Sequence, residues 1–430
     1  MNYLPEVFLP ARDEFIAAID IGTTKVTTFI GSVKKNNIIE IKGFGTAQCR
    51  GIKKGLVVDI NEATKSILNS IGIAEKATNM FVDSAFIGVT GKHISFLNNW
   101  TELNINSPSK VIRKSDVDKL LGIANRVNLS SEHYILHTLI KQFSIDDEKD
   151  IFDPVGLSTD KLAVELLIIY GSVIPIKNII NSVKAANIEI EDIILEALAS
   201  SEAVLTSEEK ESGVIMLDIG GGTTDVAIYK NRKMVFTYCL PVGGDLITND
   251  ISIGLNIPFA KAEEIKKKFA NVDYNFYETL NKINMGDLKL DRNKAALNIR
   301  LYSIVSDRVK ELLNIVKEKI EAYGFIHSIP CGIVVTGGTA NLKGITALAT
   351  SVFNMPVRVG LPVEFEGPSE AVSNPIYATA AGLLKYANQI KNFIDLGQFE
   401  DKRQKSRSFI SRFRDFITRV LKNGNLEQGV

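Results

Sequence analysis

The sequence predicts an α/β protein made of two related halves, with a small α+β unit inserted into the first half. Three short patterns lead to this prediction. Residues 15–33 (FIAAIDIGTTKVTTFIGSV) and 214–231 (VIMLDIGGGTTDVAIYKN) each read as a strand, a glycine-rich turn and a second strand. Residues 333–345 (IVVTGGTANLKGI) add an apolar run and another glycine-rich loop. Two hairpins of one pattern indicate two facing halves of one site.

The composition is that of an ordinary globular protein and argues against several functional classes. The 430 residues contain 50 Lys and Arg against 50 Asp and Glu, so no net charge points to nucleic acid. Cys49, Cys239 and Cys331 lie far apart and show no ligand spacing with the four histidines, which argues against a zinc site or a disulfide framework. No segment reads as a signal peptide or a membrane span, so we expect a reducing, cytoplasmic setting.

The first half begins with its hairpin and continues as an α/β domain that the insertion interrupts. The insertion mixes apolar strands with a helix opened by Ser115, and a polar loop with Pro154 and Gly156 precedes its last strand. The expected elements are strands at 38–44, 85–89, 134–143 and 161–170, and helices at 61–75, from 115, at 176–186 and at 191–205.

The second half follows its hairpin with helices and one more glycine-rich loop. The expected elements are helices at 246–255, 260–269, 298–323, from 342 and at 375–386, and strands at 333–335 and 357–360. The helix at 298–323 is long enough to cross a domain. From residue 391 the composition turns polar and basic, which marks a linker.

Together the two hairpins suit a nucleoside triphosphate, because phosphates need N–H donors and their metal needs carboxylates. Asp20 and Asp218 precede the two turns and would serve Mg²⁺ through water, since Mg²⁺ keeps several of its waters. One such hairpin alone reads better as an ordinary turn with its Asp bonded to the backbone. In comparing the two turns, we match Thr23 and Thr24 of the first with Thr223 and Thr224 of the second. The predicted binding residues here are Asp20, Gly22, Thr23, Thr24, Lys25, Asp218, Gly220, Gly221, Gly222, Thr223, Thr224, Gly243, Gly337, Gly338 and Thr339.

Three further side chains keep two interpretations each. Glu196, on a helix of small residues, either orients a water or hydrated metal or is an ordinary solvated glutamate. Glu263 and Lys266, three residues apart on one helix, either hold ribose and base or form a surface ion pair. The glycine spacing excludes a P-loop and a dinucleotide fingerprint, because neither G-x-x-x-x-G-K-[ST] nor a third spaced glycine occurs.

Five motifs in chain order resemble those of the actin, Hsp70 and sugar-kinase superfamily: AIDIGTTKV, LEALASSEAVL, LDIGGGTTDVAIY, VVTGGTANLKGI and NPIYATAAGLLKY. Within it, GVTGKHI and FDPVGLSTDKLAVELLIIYG in the insertion and LPVGGDLITNDI after the second hairpin are similar to the FtsA family of bacterial cell-division proteins. The resemblance spans nearly all of residues 15–421. It implies an actin-like (ribonuclease H-like) two-lobed ATPase fold that binds ATP and Mg²⁺, with the insertion in place of the usual second subdomain.

The resemblance also implies a division of the chain and a set of partners. The insertion is implied to serve polymer contacts and recruitment of later division proteins, and residues 243–298 to bind the C-terminal peptide of the tubulin-like protein FtsZ. Arg308 is a candidate partner contact, although the family's preceding Glu-Pro is Ser-Asp here. The implied segments are 1–84 (start of the first lobe), 85–172 (insertion), 173–207 (return to the first lobe), 208–242 (second lobe), 243–298 (its smaller subdomain), 299–373 (return to the second lobe), 374–390 (closing helix), 391–407 (linker) and 408–422 (tail helix).

The tail predicts an amphipathic helix at 408–421. Its apolar residues fall at i, i+1, i+4, i+7, i+8, i+11 and i+12, which is one helical stripe flanked by arginines. Apolar area and basic charge favour an anionic membrane surface over docking on the protein's own core or on a partner, because the polar linker leaves the stripe free. The predicted membrane residues are Phe409, Ile410, Arg412, Phe413, Phe416, Ile417, Arg419, Val420 and Leu421.

These features predict an ATP-binding cell-division protein that holds FtsZ filaments at the cytoplasmic face of the plasma membrane, at the septum. It would be a peripheral membrane protein that assembles with its own copies. Any ATP hydrolysis would be slow and would use Glu196 or Asp218 to orient a water or the metal. Two alternatives stay open: a type IV pilus assembly protein similar to PilM, and a phosphotransferase or chaperone ATPase of the same fold.

Overall fold

The computed structural model describes residues 15–34, 38–146, 148–273, 294–325 and 329–395. The predicted tail helix at 408–422, and the linker from residue 396 onward, lie outside the described residues. Within the described ranges, no helix is both long enough and apolar enough to cross a membrane.

Strands and helices alternate along the described chain, as the α/β class predicts. The strands are β1 (Phe15–Ile21), β2 (Lys25–Val33), β3 (Ile39–Gln48), β4 (Ile52–Lys53), β5 (Leu56–Val57), β6 (Ser84–Val89), β7 (Ile94–Asn104), β8 (His133–Ile145), β9 (Glu148–Ile151), β10 (Lys161–Ser172), β11 (Glu189–Leu195), β12 (Val214–Ile219), β13 (Thr224–Lys230), β14 (Lys233–Leu240), β15 (Ile333–Thr336), β16 (Val357–Val359) and β17 (Phe365–Glu366). The helices are α1 (Ile60–Thr78), α2 (Lys114–Ala124), α3 (Val173–Ala185), α4 (Glu196–Val204), α5 (Ser207–Ser212), α6 (Gly244–Leu255), α7 (Phe259–Phe269), α8 (Lys294–Ala322), α9 (Ile345–Phe353), α10 (Ser369–Val372) and α11 (Ala378–Asp395).

Two large sheets share one arrangement, and each defines a lobe. The sheet of the first lobe has the order β11-β6-β1-β2-β3-β17, and that of the second lobe has the order β14-β13-β12-β15-β16. Each begins with an antiparallel meander, β1–β2–β3 or β12–β13–β14. Further strands then add in parallel, β6 and β11 in the first lobe and β15 and β16 in the second. The two hairpins therefore occupy equivalent places in two related sheets.

Helices α4 and α11 cross in the core between the two sheets. Their small buried side chains pack with strand residues of both lobes, such as Ile16 and Met216. A Cβ atom on Gly382 would lie 1.8 Å from the carbonyl oxygen of Ala199, so glycine is needed where α11 crosses α4. The crossing is therefore close, and it brings both helices up to the hairpin of the second lobe.

The inserted unit is a four-stranded antiparallel sheet in the order β7-β10-β8-β9. Leu120 and Ala124 of α2 pack with the buried residues of β10 and form a separate small core. Ile94 and Phe96 of β7 pack instead against the cores of the two lobes. The insertion therefore contacts both lobes through β7.

One predicted helix is wrong in its first part. Residues 191–195 belong to strand β11, and the helix begins only at Glu196. The apolar residues of this stretch are buried because β11 pairs with β6, which lies far away in the sequence. Strand formation here depends on that distant partner, which local propensity does not reveal.

Other boundaries also differ from the predictions. Strands β7 and β14 were not predicted. Helix α3 begins at Val173 and not after Pro175, because a proline without an N–H is tolerated in the first turn. Helix α9 begins at Ile345 and not at 342, since a 3-10 turn, Gly338–Asn341, comes first.

Candidate nucleotide site

The two hairpin turns have the same length and the same closing hydrogen bond. The N–H of Gly22 donates to the carbonyl of Lys25 (3.0 Å), and the N–H of Gly220 donates to the carbonyl of Thr223 (2.9 Å). The Thr-Thr pair of the first turn therefore corresponds to the second and third glycines of the second turn. The predicted match between the two Thr-Thr pairs is wrong. The identical residues suggested that Thr23 and Thr24 are equivalent to Thr223 and Thr224, whereas the hydrogen bonds make them equivalent to Gly221 and Gly222.

These turns face each other across the gap between the lobes. A Cβ atom on Gly221 would lie 2.4 Å from Cγ2 of Thr24, and one on Gly222 would lie 2.5 Å from Oγ1 of Thr23. The glycines of the second turn thus leave the space that the threonines of the first turn fill. Each lobe supplies one half of a complementary pair of turns.

A cavity of about 400 Å³ lies between the lobes beside both turns. Its volume is in the usual range of small-molecule sites. Thr24, Gly220 and Gly221 contribute to its lining. Its charged lining residues are five lysines, Lys25, Lys266, Lys267, Lys268 and Lys343, against two carboxylates, Asp245 and Glu263. The excess of lysine favours an anionic ligand.

Gly243 supports the second turn from the start of α6. The N–H groups of Gly244 and Asp245 donate to the carbonyls of Gly220 (2.9 Å) and Gly221 (2.8 Å). A Cβ atom on Gly243 would lie 2.6 Å from both of these carbonyl oxygens. Glycine is required here to hold the turn, and it is the neighbouring Gly244 that lines the cavity.

The third glycine-rich loop completes the same wall. Gly337 has φ of 83°, in the left-handed region, and a Cβ atom there would lie 2.2 Å from Oδ1 of Asp218. Gly338 and Thr339 line the cavity, and Oγ1 of Thr339 lies 3.5 Å from the carbonyl oxygen of Gly220. The loop and the second hairpin turn therefore form one continuous surface.

Glu263 and Lys266 lie in the cavity wall as an ion pair. Their charged atoms are 2.7 Å apart, and their side chains are 23% and 16% exposed. The Thr248 hydroxyl lies 2.5 Å from Oε2 of Glu263 and 2.7 Å from Nζ of Lys266. The two side chains do form an ion pair, as one interpretation expected, but the pair is largely buried and lines the cavity instead of lying on an open surface.

Buried carboxyl groups lie under the turns. Asp20, Glu196, Asp218 and Asp225 are each less than a tenth exposed. Burial raises the pKa of all four, to about 7 for Asp225 and well above the ordinary value for Glu196. Nζ of Lys25, 3.6 Å from Asp20, opposes the rise of the pKa of Asp20. Glu196 is therefore not a solvated glutamate, and its burial excludes that interpretation.

Asp225 is a member of this group that the sequence analysis missed. It lies opposite Asp218 in the hairpin register, and the Thr90 hydroxyl donates to its Oδ1 (2.5 Å). The sequence did contain a signal, an aspartate within a predicted strand of mostly apolar residues. Such a carboxylate is rarely buried without a partner or a function.

Some predicted residues have other partners. The hydroxyl of Thr224 donates to the carbonyl of Val242 (2.8 Å), and Thr223 is buried beside it. Neither threonine lines the cavity, because Thr223 closes the turn and Thr224 begins strand β13. Lys25 does line the cavity, where its Nζ donates to the carbonyl of Ile376 (2.6 Å).

The predicted partner residue lies away from the cavity. Arg308 is on α8, where its guanidinium donates to the carboxylates of Asp250 and Glu311. The predicted membrane residues at 409–421 lie outside the described residues.

The residues present fit ATP with Mg²⁺. The lysines suit a triphosphate, and a divalent cation close to the buried carboxyl groups would favour their ionised forms, which burial disfavours. Within the ranges that the structure describes, no three His, Cys, Asp or Glu side chains group as a ready metal site. Mg²⁺ keeps several of its waters and binds few protein oxygens. Asp20 and Asp218 would therefore hold it by hydrogen bonds to those waters.

Comparison with known proteins decides the family. A family model described as "Cell division protein FtsA" matches residues 215–382, and one described as "SHS2 domain inserted in FTSA" matches residues 91–170. Cell division protein FtsA of Pseudomonas aeruginosa is 37% identical over 382 residues, which are 87% of this chain and 90% of that protein. The chain belongs to the FtsA family. Membership of the FtsA family makes it a cell-division protein, and the predicted family is confirmed.

Solved structures place the FtsA-family chain in the expected fold class. The PilM-PilN type IV pilus biogenesis complex aligns with a TM-score of 0.62 at 15% identity, over 86% of this chain and 98% of that one. MreB5 of Spiroplasma citri bound to ADP aligns with a TM-score of 0.50 at 14% identity, over 90% and 99%. The actin-like fold with an inserted α+β unit is confirmed. The likeness to PilM concerns the fold alone.

Proposed function

We propose that this FtsA-family chain binds ATP between its lobes and links FtsZ filaments to the cytoplasmic face of the plasma membrane at the division septum. The ATP part rests on one observation, the cavity of about 400 Å³ beside two facing glycine turns with five lysines in its wall. Turn N–H groups and lysine ammonium groups are what phosphate recognition requires. The ADP in the MreB5 structure supports the same kind of ligand here.

Each part of the cavity has a task in this proposal. The phosphates would lie at the two turns, with Lys25 as a point charge. Glu263 and Lys266 would hold the ribose and base against the loop of Gly338 and Thr339. Mg²⁺, when bound, would neutralise phosphate charge, and the carboxylates beneath the turns would hold its waters.

Hydrolysis would be slow in this arrangement. A general base must be deprotonated to accept a proton from the attacking water. Burial, followed by the charge of Asp20, raises the pKa of Glu196 well above its ordinary value and favours the protonated form. Glu196 would therefore orient a water by hydrogen bonding, together with Asp218, and ATP would act mainly as a conformational ligand.

Substitution of Lys266 tests the ATP site. Lys266→Gln removes a charged donor, and we expect ATP affinity measured by calorimetry to fall roughly 10- to 100-fold, from about 1.5–3 kcal/mol. Lys261→Gln is the matched control on the same helix, because Lys261 pairs with the exposed Glu264 (2.9 Å). Equal affinities in the two variants would refute the placement of the ligand in this cavity.

A groove of about 360 Å³ between α6 and α8 is our candidate for the FtsZ peptide. Ile253, 72% exposed, and Ile304 give it an apolar strip, and Arg308 lies beside that strip among carboxylates. An exposed apolar strip in a groove is the kind of site that anchors an apolar side chain of a short peptide, and Arg308 is already paired with Asp250 and Glu311. The groove lies partly within the region that the family resemblance assigns to this peptide.

Ile253→Ser tests this groove. We expect the affinity for a synthetic FtsZ C-terminal peptide to fall by about 10-fold or more, as for a central apolar anchor. Ile299→Ser is the control, since Ile299 is 42% exposed on α8 and does not line the groove. If both variants bind the peptide as the wild type does, the peptide binds elsewhere.

The membrane part of the proposal rests on the apolar stripe at 409–421. Phe413→Glu/Phe416→Glu puts two charges in the stripe, and Ser411→Glu/Thr418→Glu puts the same two charges on the opposite face. We expect the first variant, and a chain ending at Gln404, to lose co-sedimentation with anionic vesicles. The control should still pellet. Equal pelleting of the full-length and shortened chains would contradict the tether.

Assembly is the last part of the proposal. Protomers would associate with one another, and the inserted unit would contact later division proteins. Sedimentation velocity with and without ATP tests self-association, and an unchanged monomer at all concentrations would count against it.

A further inference from the structure

Thr90 stands where the chain leaves β6 and enters the inserted unit. Its hydroxyl donates to Oδ1 of Asp225 (2.5 Å), and Sγ of Cys239 lies 3.2 Å from the same hydroxyl oxygen. All three side chains are buried. Asp225 is paired across the sheet with Asp218 on one side and with Cys239 on the other. The base of the insertion is therefore hydrogen-bonded to the hairpin of the second lobe.

The turn of the first lobe reaches Thr90 from the other side. The N–H of Gly55 donates to Oγ1 of Thr23 (3.4 Å). Gly55 has φ of 73°, and a Cβ atom there would lie 2.5 Å from the carbonyl oxygen of Thr90. Both turns that face the cavity are thus connected to one residue, the first turn through Gly55 and the second through Asp225.

The insertion is held by both lobes. The ring of Phe96 lies 5.2 Å from that of Phe236 in the second lobe and 5.8 Å from that of Tyr323 at the end of α8. On the other side, Nε2 of His137 accepts the N–H of Leu195 from the first lobe (3.0 Å). A change in the angle between the lobes must therefore shift the insertion relative to at least one of them.

A cavity of about 190 Å³ separates the insertion from the lobes at this junction. Ile94 and Phe96 of the insertion line one side, and Leu195, Asp225 and Cys239 line the other. The insertion and the lobes are therefore not close-packed here, which leaves space for the insertion to move without compressing its neighbours. Asp225 and Cys239, which both contact the Thr90 hydroxyl, line this cavity.

We propose that Thr90 couples the nucleotide state of the two turns to the orientation of the inserted unit, with the Thr90–Asp225 hydrogen bond as the link. The inference rests on the proposed ATP site, because ATP is the ligand that would draw the turns together. Asp225 moves with its turn, Thr90 follows Asp225, and the insertion follows Thr90 through Gly91, which has φ of 136° in the connection between β6 and β7. Thr90 is a positioning residue and does not contact the ligand.

Hydrogen exchange with and without ATP and Mg²⁺ tests the coupling in the full-length protein. In the wild type we expect ATP to change exchange at the two turns and also in β7 and β10 of the insertion. Thr90→Val keeps the shape of the side chain and removes the donor, so ATP should still change exchange at the turns but no longer in the insertion. Thr90→Ser restores the donor and should restore the change in the insertion.

Thr237→Val is the matched control, because Thr237 lines the same cavity on β14, two residues before Cys239. It should behave as the wild type. If Thr90→Val does not fold, Thr90→Ala, which adds no misplaced methyl group, takes its place. The coupling is overturned if ATP still changes hydrogen exchange in the insertion after the Thr90 hydroxyl is removed. It is also overturned if bound ATP does not change exchange in the insertion of the wild type. Absence of ATP binding by the wild type would instead refute the proposed function.

Discussion

The two hairpins are alike in backbone and different in what surrounds their carboxylates. In the first, Asp20 lies opposite Thr27, and in the second, Asp218 lies opposite Asp225. Asp20 has Lys25 as its counter-charge, at 3.6 Å. One repeated pattern therefore carries one carboxylate beside a cation in the first lobe and two adjacent carboxylates in the second.

Asp218 is stabilised by hydroxyl groups where Asp20 has a cation. Its Oδ2 accepts hydrogen bonds from Ser200 of α4 (2.6 Å) and Thr379 of α11 (3.1 Å). These helices cross between the two sheets, so the second hairpin is attached to the centre of the molecule. From this difference we infer that the first turn places a charged side chain, Lys25, in the cavity wall. The second turn instead connects the two lobes through the hydrogen bonds of Asp218 to α4 and α11.

The largest expected effect concerns Asp225, which has no ionisable counterpart in the first hairpin. Burial raises the pKa of Asp225 from 3.8 to about 7. Between these values the folded protein holds a proton that the unfolded chain has released, so the free energy of unfolding falls as pH rises. We expect the wild type to lose about 3 kcal/mol relative to Asp225→Asn between about pH 5 and pH 8.

Urea unfolding of the nucleotide-free protein across this range measures the difference. Thr27→Val changes the equivalent position of the first hairpin and should leave the pH dependence as it is in the wild type. Parallel pH curves for the wild type and Asp225→Asn would mean that the two hairpins do not differ in this respect.

The second effect tests the hydroxyl groups at Asp218. Thr379→Val keeps the shape of the side chain and removes a donor to a buried carboxylate, which should lower the free energy of unfolding by about 1.5–3 kcal/mol. At the first hairpin, Thr27 accepts from Nζ of Lys25 (3.1 Å) and lies 3.5 Å from the Thr46 hydroxyl. Thr27→Val should therefore cost less, about 0.5–1.5 kcal/mol. The reverse order of the two losses would contradict the assignment of the second hairpin as the fixed one.

The third effect tests the complementary turns. A Cβ atom on Gly222 would lie 2.5 Å from Oγ1 and 3.0 Å from Cβ of Thr23, so Gly222→Ala should cost about 1–3 kcal/mol of unfolding free energy through overpacking. Removing the opposing side chain should relieve the clash. Thr23→Gly/Gly222→Ala should therefore be more stable than the sum of the two single changes predicts. Additive losses would show that the turns do not press on each other.

The sequence predicted these hairpins because their signal is local. A run of apolar residues, an Asp and a glycine turn are adjacent in the chain, and residues 15–33 and 214–231 contain all three. The third loop was found for the same reason. The family resemblance added the expected two-lobed fold, which local patterns alone do not specify.

What the sequence did not predict depends on distant partners. Thr90 and Asp225 are 135 residues apart, so no local pattern shows that one hydroxyl serves that carboxylate. Strand β11 was mistaken for helix because its pairing with β6 is equally remote. Glu263 and Lys266 remained ambiguous for a related reason, since only the packing of α6 and α7 decides whether an ion pair faces solvent or a cavity.

The smallest expected effect concerns a feature that the two turns share, the glycine at which each turn begins. Gly22 and Gly220 both begin their turns, and neither has a positive φ. A Cβ atom on Gly220 would lie 3.4 Å from the carbonyl oxygen of Thr223, which is ordinary contact, and one on Gly22 would lie 3.1 Å from that of Lys25, which requires a shift of a few tenths of an ångström. Gly22→Ala and Gly220→Ala should each change the free energy of unfolding by less than about 1 kcal/mol, because reduced freedom of the unfolded chain offsets the slight crowding.

If Gly220 is not needed for folding, its role is to leave space for the ligand. Gly220 lines the cavity and Gly22 does not. Gly220→Ala should therefore weaken ATP binding more than Gly22→Ala does, although the two proteins are equally stable. Calorimetric titration with ATP beside urea unfolding separates the two effects. Equal affinities at equal stability would mean that the phosphates do not approach the second turn, whereas a large loss of stability in either variant would mean that the fold itself requires the glycine.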